Sequence, residues 1–261
     1  MALFTDGPAC TIDDLADEDS GLLAAAEAVG INVTAKLRLA MSDVQSELEK
    51  WLLRPQPVSG YGTFGPVWIQ APVIGQVVVT RELMRWEKMQ TLSMVYRDAY
   101  FSQLVDRYQG KWDEYAKLTR YSRDQFVANG IGLVADPLPR AGLPVLGTMG
   151  APTQETGGTF YACVTWVNKA GQEGAASDAG SLVVPAENLL SVMAEGAPLN
   201  AVGFNVYAGT VLAMMTLQNS GAVPLGSTFT VVPGSSASSQ IAGTGQRPDY
   251  MKPLPRTILR G

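Results

Sequence analysis

The sequence predicts an α+β multidomain chain: an N-terminal α-helical bundle, then an antiparallel β-sandwich, then an extended C-terminal arm. Three observations predict it. Apolar residues recur at helical spacing through the first half. Around Pro137-Leu138-Pro139 the composition shifts to Gly, Pro, Ser, Thr and Val, with short alternating runs. Finally, Pro248, Pro253 and Pro255 disfavour both helix and central strand near the C-terminus. The expected boundaries are 1–135 for the helices, 136–245 for the strands and 246–261 for the arm.

Thr11-Ile12-Asp13-Asp14 reads as a helix start, with Thr11 as cap and carboxylates in the first turn. A second start follows at Asp19-Ser20; Leu22, Leu23, Ala26 and Val29 form its apolar face and Gly30 ends it. Thr34 opens a longer helix carrying Leu37, Ala40, Val44, Leu48 and Trp51, stopped by Pro55 and Pro57. Residues 55–79 read as a long Gly/Pro loop with a strand-like piece at Val77-Val78-Val79.

Residues 80–129 read as two long helices with a break at Gly110. Aromatic residues are dense here and interleave with basic ones, Arg97, Arg107 and Lys111 among them. Carboxylates such as Glu82, Glu87, Asp98 and Asp113 are mixed in. Alternating signs on a helix indicate a solvated or salt-bridged face more than a nucleic-acid grip.

In the second half, strands are expected at Gly158–Asn168, Ser181–Val184, Val202–Ala208, Leu212–Leu217 and Thr228–Val232, with a turn at Lys169-Ala170-Gly171-Gln172. Short strands with turn signals between them argue for a sandwich. Charge nearly vanishes between Pro137 and Gly245, where only Arg140, Glu155, Lys169, Glu173, Asp178, Glu187 and Glu195 remain.

Composition narrows the chemistry. Histidine is absent, which excludes Ser-His-Asp and Cys-His catalysis within the chain. Cys10 and Cys163 are too few for a structural zinc site, and Cys163 in a strand pattern reads as a small buried apolar residue. Glu155 and Glu173 flank turns without forming an opposed acid pair, and the Gly-rich pieces match no phosphate-binding loop. No catalytic, cofactor or metal site is expected. No apolar run reaches the ~20 residues of a membrane span, and the first residues lack a basic leader, so a soluble chain made in the cytoplasm is expected.

The net charge of −5 hides a gradient. Asp6 through Glu27 is acidic with no Lys or Arg before Lys36, whereas Arg247, Lys252, Arg256 and Arg260 crowd the other end. The ends read either as complementary docking surfaces or as two solvated tails. A mean hydropathy of +0.08 with only 16% charged residues suits a chain that hides surface against partners.

Four segments carry resemblances. The run from Gly158-Thr159-Phe160-Tyr161 through Val164-Thr165-Trp166-Val167-Asn168 to Gln172-Glu173 resembles a strand–turn of fibronectin-III-like and immunoglobulin-like domains. Gly203-Phe204-Asn205-Val206-Tyr207-Ala208-Gly209 resembles a strand of such domains in phage structural proteins, and Thr228-Phe229-Thr230-Val231 resembles their closing strand. The order departs from a fibronectin domain, where the Asn-Val-Tyr strand usually comes first. The first fifty residues, from Thr11-Ile12-Asp13-Asp14-Leu15 through Asp19-Ser20-Gly21-Leu22-Leu23 to Thr34-Ala35-Lys36-Leu37, resemble the opening of tailed-phage head-to-tail adaptor proteins.

That resemblance implies a virion structural protein and no enzyme. It would form a ring, usually a dodecamer, between the portal protein and a downstream tail or nozzle protein, around a channel that genomic double-stranded DNA traverses. Arg97, Arg107 and Lys111 are the candidate channel-facing basic residues. Arg247, Tyr250, Lys252, Leu254, Arg256, Ile258, Leu259 and Arg260 form the candidate portal-binding arm. The alternative is a tail-fibre, capsid-decoration or host-glycan-binding protein that uses the immunoglobulin-like domain.

Overall fold

The computed structural model describes residues 2–52, 72–103, 106–150, 157–232, 234, 237–242 and 245–253. Most of the expected loop, the stop at Pro55 and Pro57, Glu155 and the end of the arm lie outside them. Among the described residues the α-helices are α1 (Ile12–Glu18), α2 (Leu22–Val29), α3 (Val33–Leu52), α4 (Arg81–Gln103) and α5 (Gln109–Asn129). The strands are β1 (Ile131–Leu133), β2 (Val145–Gly150), β3 (Gly158–Asn168), β4 (Gly180–Val184), β5 (Asn188–Met193), β6 (Ala201–Gly209), β7 (Thr216–Leu217), β8 (Val223–Pro224), β9 (Phe229–Val231) and β10 (Asp249–Met251). The fold is α+β, helices first, with antiparallel strand pairs throughout.

The chain divides into two compact units. One holds Gly7–Leu133 and Pro248–Gly261; the other holds Met1–Asp6 and Val134–Arg247. Two expectations are corrected here. The first six residues belong with the strands: Phe4 is fully buried, and the Asp6 carboxylate accepts the Arg140 N–H at 2.9 Å. The arm does not begin at residue 246 either. Gln246 is buried and its Oε1 accepts the Leu138 N–H at 2.7 Å, so it closes the β unit.

In the helical unit the caps decide the helix starts. Thr11 Oγ1 accepts the Asp14 N–H at 3.1 Å while Asp14 accepts the Thr11 N–H at 2.7 Å, a reciprocal capping box. Gly30 ends α2 with φ 72°, a conformation that a Cβ disfavours. Asn32, rather than Thr34, caps α3: its side chain accepts the Ala35 N–H at 2.9 Å. The expected break at Gly110 moves upstream to a 3₁₀ turn at Asp106–Tyr108, and Gly110 sits in the first turn of α5. A glycine is cheapest there, where the N–H groups lack intrahelical partners, and the buried Tyr108 ring holds the turn instead.

Leu15, Leu22, Leu37, Leu92, Val95, Tyr96 and Tyr115 belong to one buried cluster fed by α1 to α5. Trp51, Trp86 and Phe126 form a second contact among α3, α4 and α5, with ring centroids 5.7 to 6.2 Å apart. Such aromatic pairs add about 0.5–1.5 kcal/mol each beyond their buried area.

The helical unit carries a small sheet. β10 pairs antiparallel with β1, Ile131 opposite Met251 and Leu133 opposite Asp249. Val77 bridges to Leu133, and the Val78 N–H donates to the Gly132 carbonyl at 3.0 Å. Gly132 is required at the centre. A Cβ there would lie 2.9 Å from Thr80 Cγ2, 3.0 Å from Val78 Cγ2 and 3.2 Å from Pro248 Cβ.

The β unit has two sheets, ordered β2-β5-β9 and β4-β3-β6-β7, with β8 also on β6. Both feed one apolar cluster. Val164 and Trp166 of β3, Phe204 and Val206 of β6, Val192 of β5 and Val231 of β9 are all buried in it. Trp166 lies opposite Phe204 in the ladder, their rings edge-on at 6.4 Å. The alternate residues Cys163, Thr165 and Val167 are buried as well, so β3 is covered on both faces. β3 has the bounds its pattern predicts. The expected strand over Leu212–Leu217 is a 3₁₀ turn followed by the two residues of β7.

The crowding around Gly132 generates a prediction. Gly132→Val is expected to push β10 off β1 and to cost about 1–3 kcal/mol. Amide exchange in peptides covering 248–253 should quicken while β3 peptides stay unchanged. Unchanged protection at 248–253 would show that the close packing is not what holds β10.

Candidate functional site

The helical unit is organised around one carboxylate. α1 ends at Glu18, and the next residue, Asp19, is almost fully buried at 7% exposure. Its side chain takes Lys111 Nζ at 2.6 and 2.8 Å, the Tyr96 hydroxyl at 2.7 Å, the Tyr115 hydroxyl at 3.0 Å and the Gly21 N–H at 3.0 Å. Tyr96 comes from α4, Lys111 and Tyr115 from α5, and the two tyrosine rings stack at 5.6 Å. Lys111 Nζ also lies 5.0 Å from the centre of the Tyr96 ring.

Burial alone would raise the Asp19 carboxyl, but hydrogen bonds from Lys111, Tyr96, Gly21 and Tyr115 outweigh it and hold the group below its ordinary range. Burial, and after it the same carboxylate, pushes both tyrosine hydroxyls well above theirs. At neutral pH this is a fixed ion pair capped by two neutral donors. It staples the α1–α2 junction to α4 and α5.

The three candidate channel residues separate. Lys111 is spent on Asp19. Arg107 lies with its guanidinium 4.4 Å from the Tyr108 ring centre and donates to that hydroxyl. Arg97 is exposed and approaches its neighbour Asp98 at 3.5 Å, a carboxylate that also pairs with Lys36. The structure therefore brings Lys111 and Arg107 together at the start of α5, each with an aromatic partner, and leaves Arg97 apart from them.

Of the candidate arm residues, Arg247, Tyr250 and Lys252 are exposed on and beside β10. Leu254, Arg256, Ile258, Leu259 and Arg260 lie outside the described residues.

The β unit has its own buried carboxylate. Glu173 accepts the Tyr207 hydroxyl at 2.8 Å, Thr165 Oγ1 at 3.3 Å, Gln240 Nε2 at 3.3 Å and the Asn205 amide. Burial and the Glu173 contact push the Tyr207 hydroxyl up. Glu173 thus ties the turn after β3 to β6 and to residue 240.

Sequence reasoning missed both hubs. Asp19 reads locally as a helix cap and Glu173 as a turn residue. The one available signal was the set of tyrosines inside apolar stripes, whose hydroxyls need partners once buried.

Cys10 and Cys163 are buried free thiols, and burial pushes them up to about 12 and about 11 respectively. Among the described residues no cluster of acidic, Cys or His groups could hold a metal ion, and no helix is long and apolar enough to cross a membrane. No family model, curated protein sequence or solved structure matches this chain.

The Asp19 geometry makes a stability prediction. Asp19→Asn is expected to cost about 2–3 kcal/mol in denaturant unfolding at pH 7, somewhat below a fully buried pair because Lys111 is half-exposed. A carboxyl held low contributes stability above its unfolded value of about 3.9, lost as pH falls through the folded value. The gap between wild type and variant should therefore close below about pH 4. An undiminished gap at pH 3 would show that the charge is not what Asp19 contributes.

Proposed function

We propose that the chain is a virion structural protein, a head-to-tail adaptor that joins the portal ring of a tailed phage to its tail and lets DNA pass. In this reading copies close into a homo-oligomeric ring, a dodecamer, assembled in the host cytoplasm and carried in the virion. The β unit is read as an immunoglobulin-like sandwich. Support for that is the single apolar cluster shared by two antiparallel sheets, with the resembling segments on its central strands β3 and β6.

The observation that carries the reading is the β1–β10 pair. It roots residues 249–251 on the helical unit immediately before a segment whose sequence alternates apolar Leu254, Ile258 and Leu259 with Arg256 and Arg260. A rooted start lowers the entropy lost when such a segment docks on a neighbour. The buried hubs support the same reading in another way. Asp19 and Glu173 have their oxygens taken up by protein donors from several elements, which suits groups that hold a scaffold together.

The test is a chain ended at Pro253, compared with the full chain for co-sedimentation with portal rings. Loss of co-sedimentation, with thermal stability retained, is expected. Undiminished binding by the shortened chain would sink the arm's role.

A further inference from the structure

Glu87 stands among alternating charges on α4, where a solvated face is expected, yet it is fully buried. Its Oε1 accepts the Ala9 N–H at 2.8 Å, and the neighbouring Cys10 N–H also favours the charged carboxylate. Its Oε2 is buried with no hydrogen-bond partner among the described residues. Among the described residues the carboxyl thus holds a segment 78 positions away in sequence through backbone N–H groups, without a paired cation.

The segment it holds is a connection. Residues 1–6 belong to the β unit and the helical unit starts at Gly7, whose φ of +140° marks a bend that a side chain would strain. Cys10, 3% exposed, packs in the same core cluster as Leu15. We propose that Glu87 is a pH-operated latch on residues 7–11: its uncharged form holds the segment on α4, and its ionised form releases it.

The physical argument is a balance of two terms. An ionised carboxylate is favoured by the two N–H groups, but it must sit in the core with one oxygen unsolvated. Burial wins: it pushes the Glu87 carboxyl up to about 7 against those two N–H groups. The charged groups acting on the neighbouring Cys10 thiol are Glu87 itself, Asp14 of α1 and Lys88 of α4. Lys88 approaches Glu18 of α1 at 3.9 Å. With the closed value above the open one, closure is favoured below the ordinary carboxyl range. It weakens as pH rises towards about 7, and beyond that the balance stays constant.

The two buried thiols make the latch measurable in the native chain. Labelling with a thiol reagent at pH 6 and pH 8 reports opening at Cys10, and Cys163 in the other unit supplies the reference for thiolate ionisation. The Cys10-to-Cys163 rate ratio is expected to rise about tenfold across that range, and to stay flat in Glu87→Gln, which keeps an oxygen acceptor but cannot ionise. A flat ratio in the wild-type chain overturns the latch, as does an equal rise in the variant. Should the variant fail to fold, the wild-type ratio decides alone.

Discussion

The helical unit depends on the Asp19 carboxylate more than on any other single group. Four donors from three separate stretches of chain converge on it, and one of them, Lys111, supplies the compensating charge. Without that convergence the short helices α1 and α2 would have little to fix their junction, since helices of seven and eight residues are marginal by themselves. The apolar cluster around Leu15 and Leu22 gives the helices a reason to pack. The ion pair dictates where they pack, because a misplaced α1 would leave a charge buried without partners.

Three buried carboxylates show three different balances. Asp19 has a cation and two hydroxyls and is held ionised. Glu173 has neutral donors from four side chains. Glu87 has backbone N–H groups and, among the described residues, an oxygen without a partner, and burial raises it towards neutrality. Asp19 is a permanent staple and Glu87 the proposed latch, and the difference between them lies in what each oxygen touches. The proposed latch would let a chain without histidine respond to pH near neutrality.

Much of the local architecture was legible. The Thr11 capping box, the Gly30 stop and the bounds of β3 follow from residue types within a few positions, which is where cap chemistry and period-two alternation act. β2 and β5 were not anticipated. Gly147 and Gly150 make β2 look like loop, and the strand exists because β5 pairs along its whole length. β5 itself, Asn-Leu-Leu-Ser-Val-Met, suits helix or strand equally until that partner is known. Asp19, Glu87 and Gln246 were misjudged for one reason: each is polar in sequence and buried by contacts from residues 70 or more positions away. The arm was legible as extended, but not as a strand rooted on β1 through the space that Gly132 leaves.

Each unit is held together by its own buried polar hub and apolar cluster, which leaves the exposed basic side chains at β10 and the sparsely charged surface of the β unit available to neighbours. Under the proposed adaptor function this surface would be used for ring assembly. The mass of the purified native chain, by native mass spectrometry or analytical ultracentrifugation, tests it most directly. A closed dodecamer of the 27.8 kDa chain, roughly 330 kDa, is the predicted result. A monomer that persists at high concentration and in the presence of portal rings would contradict it.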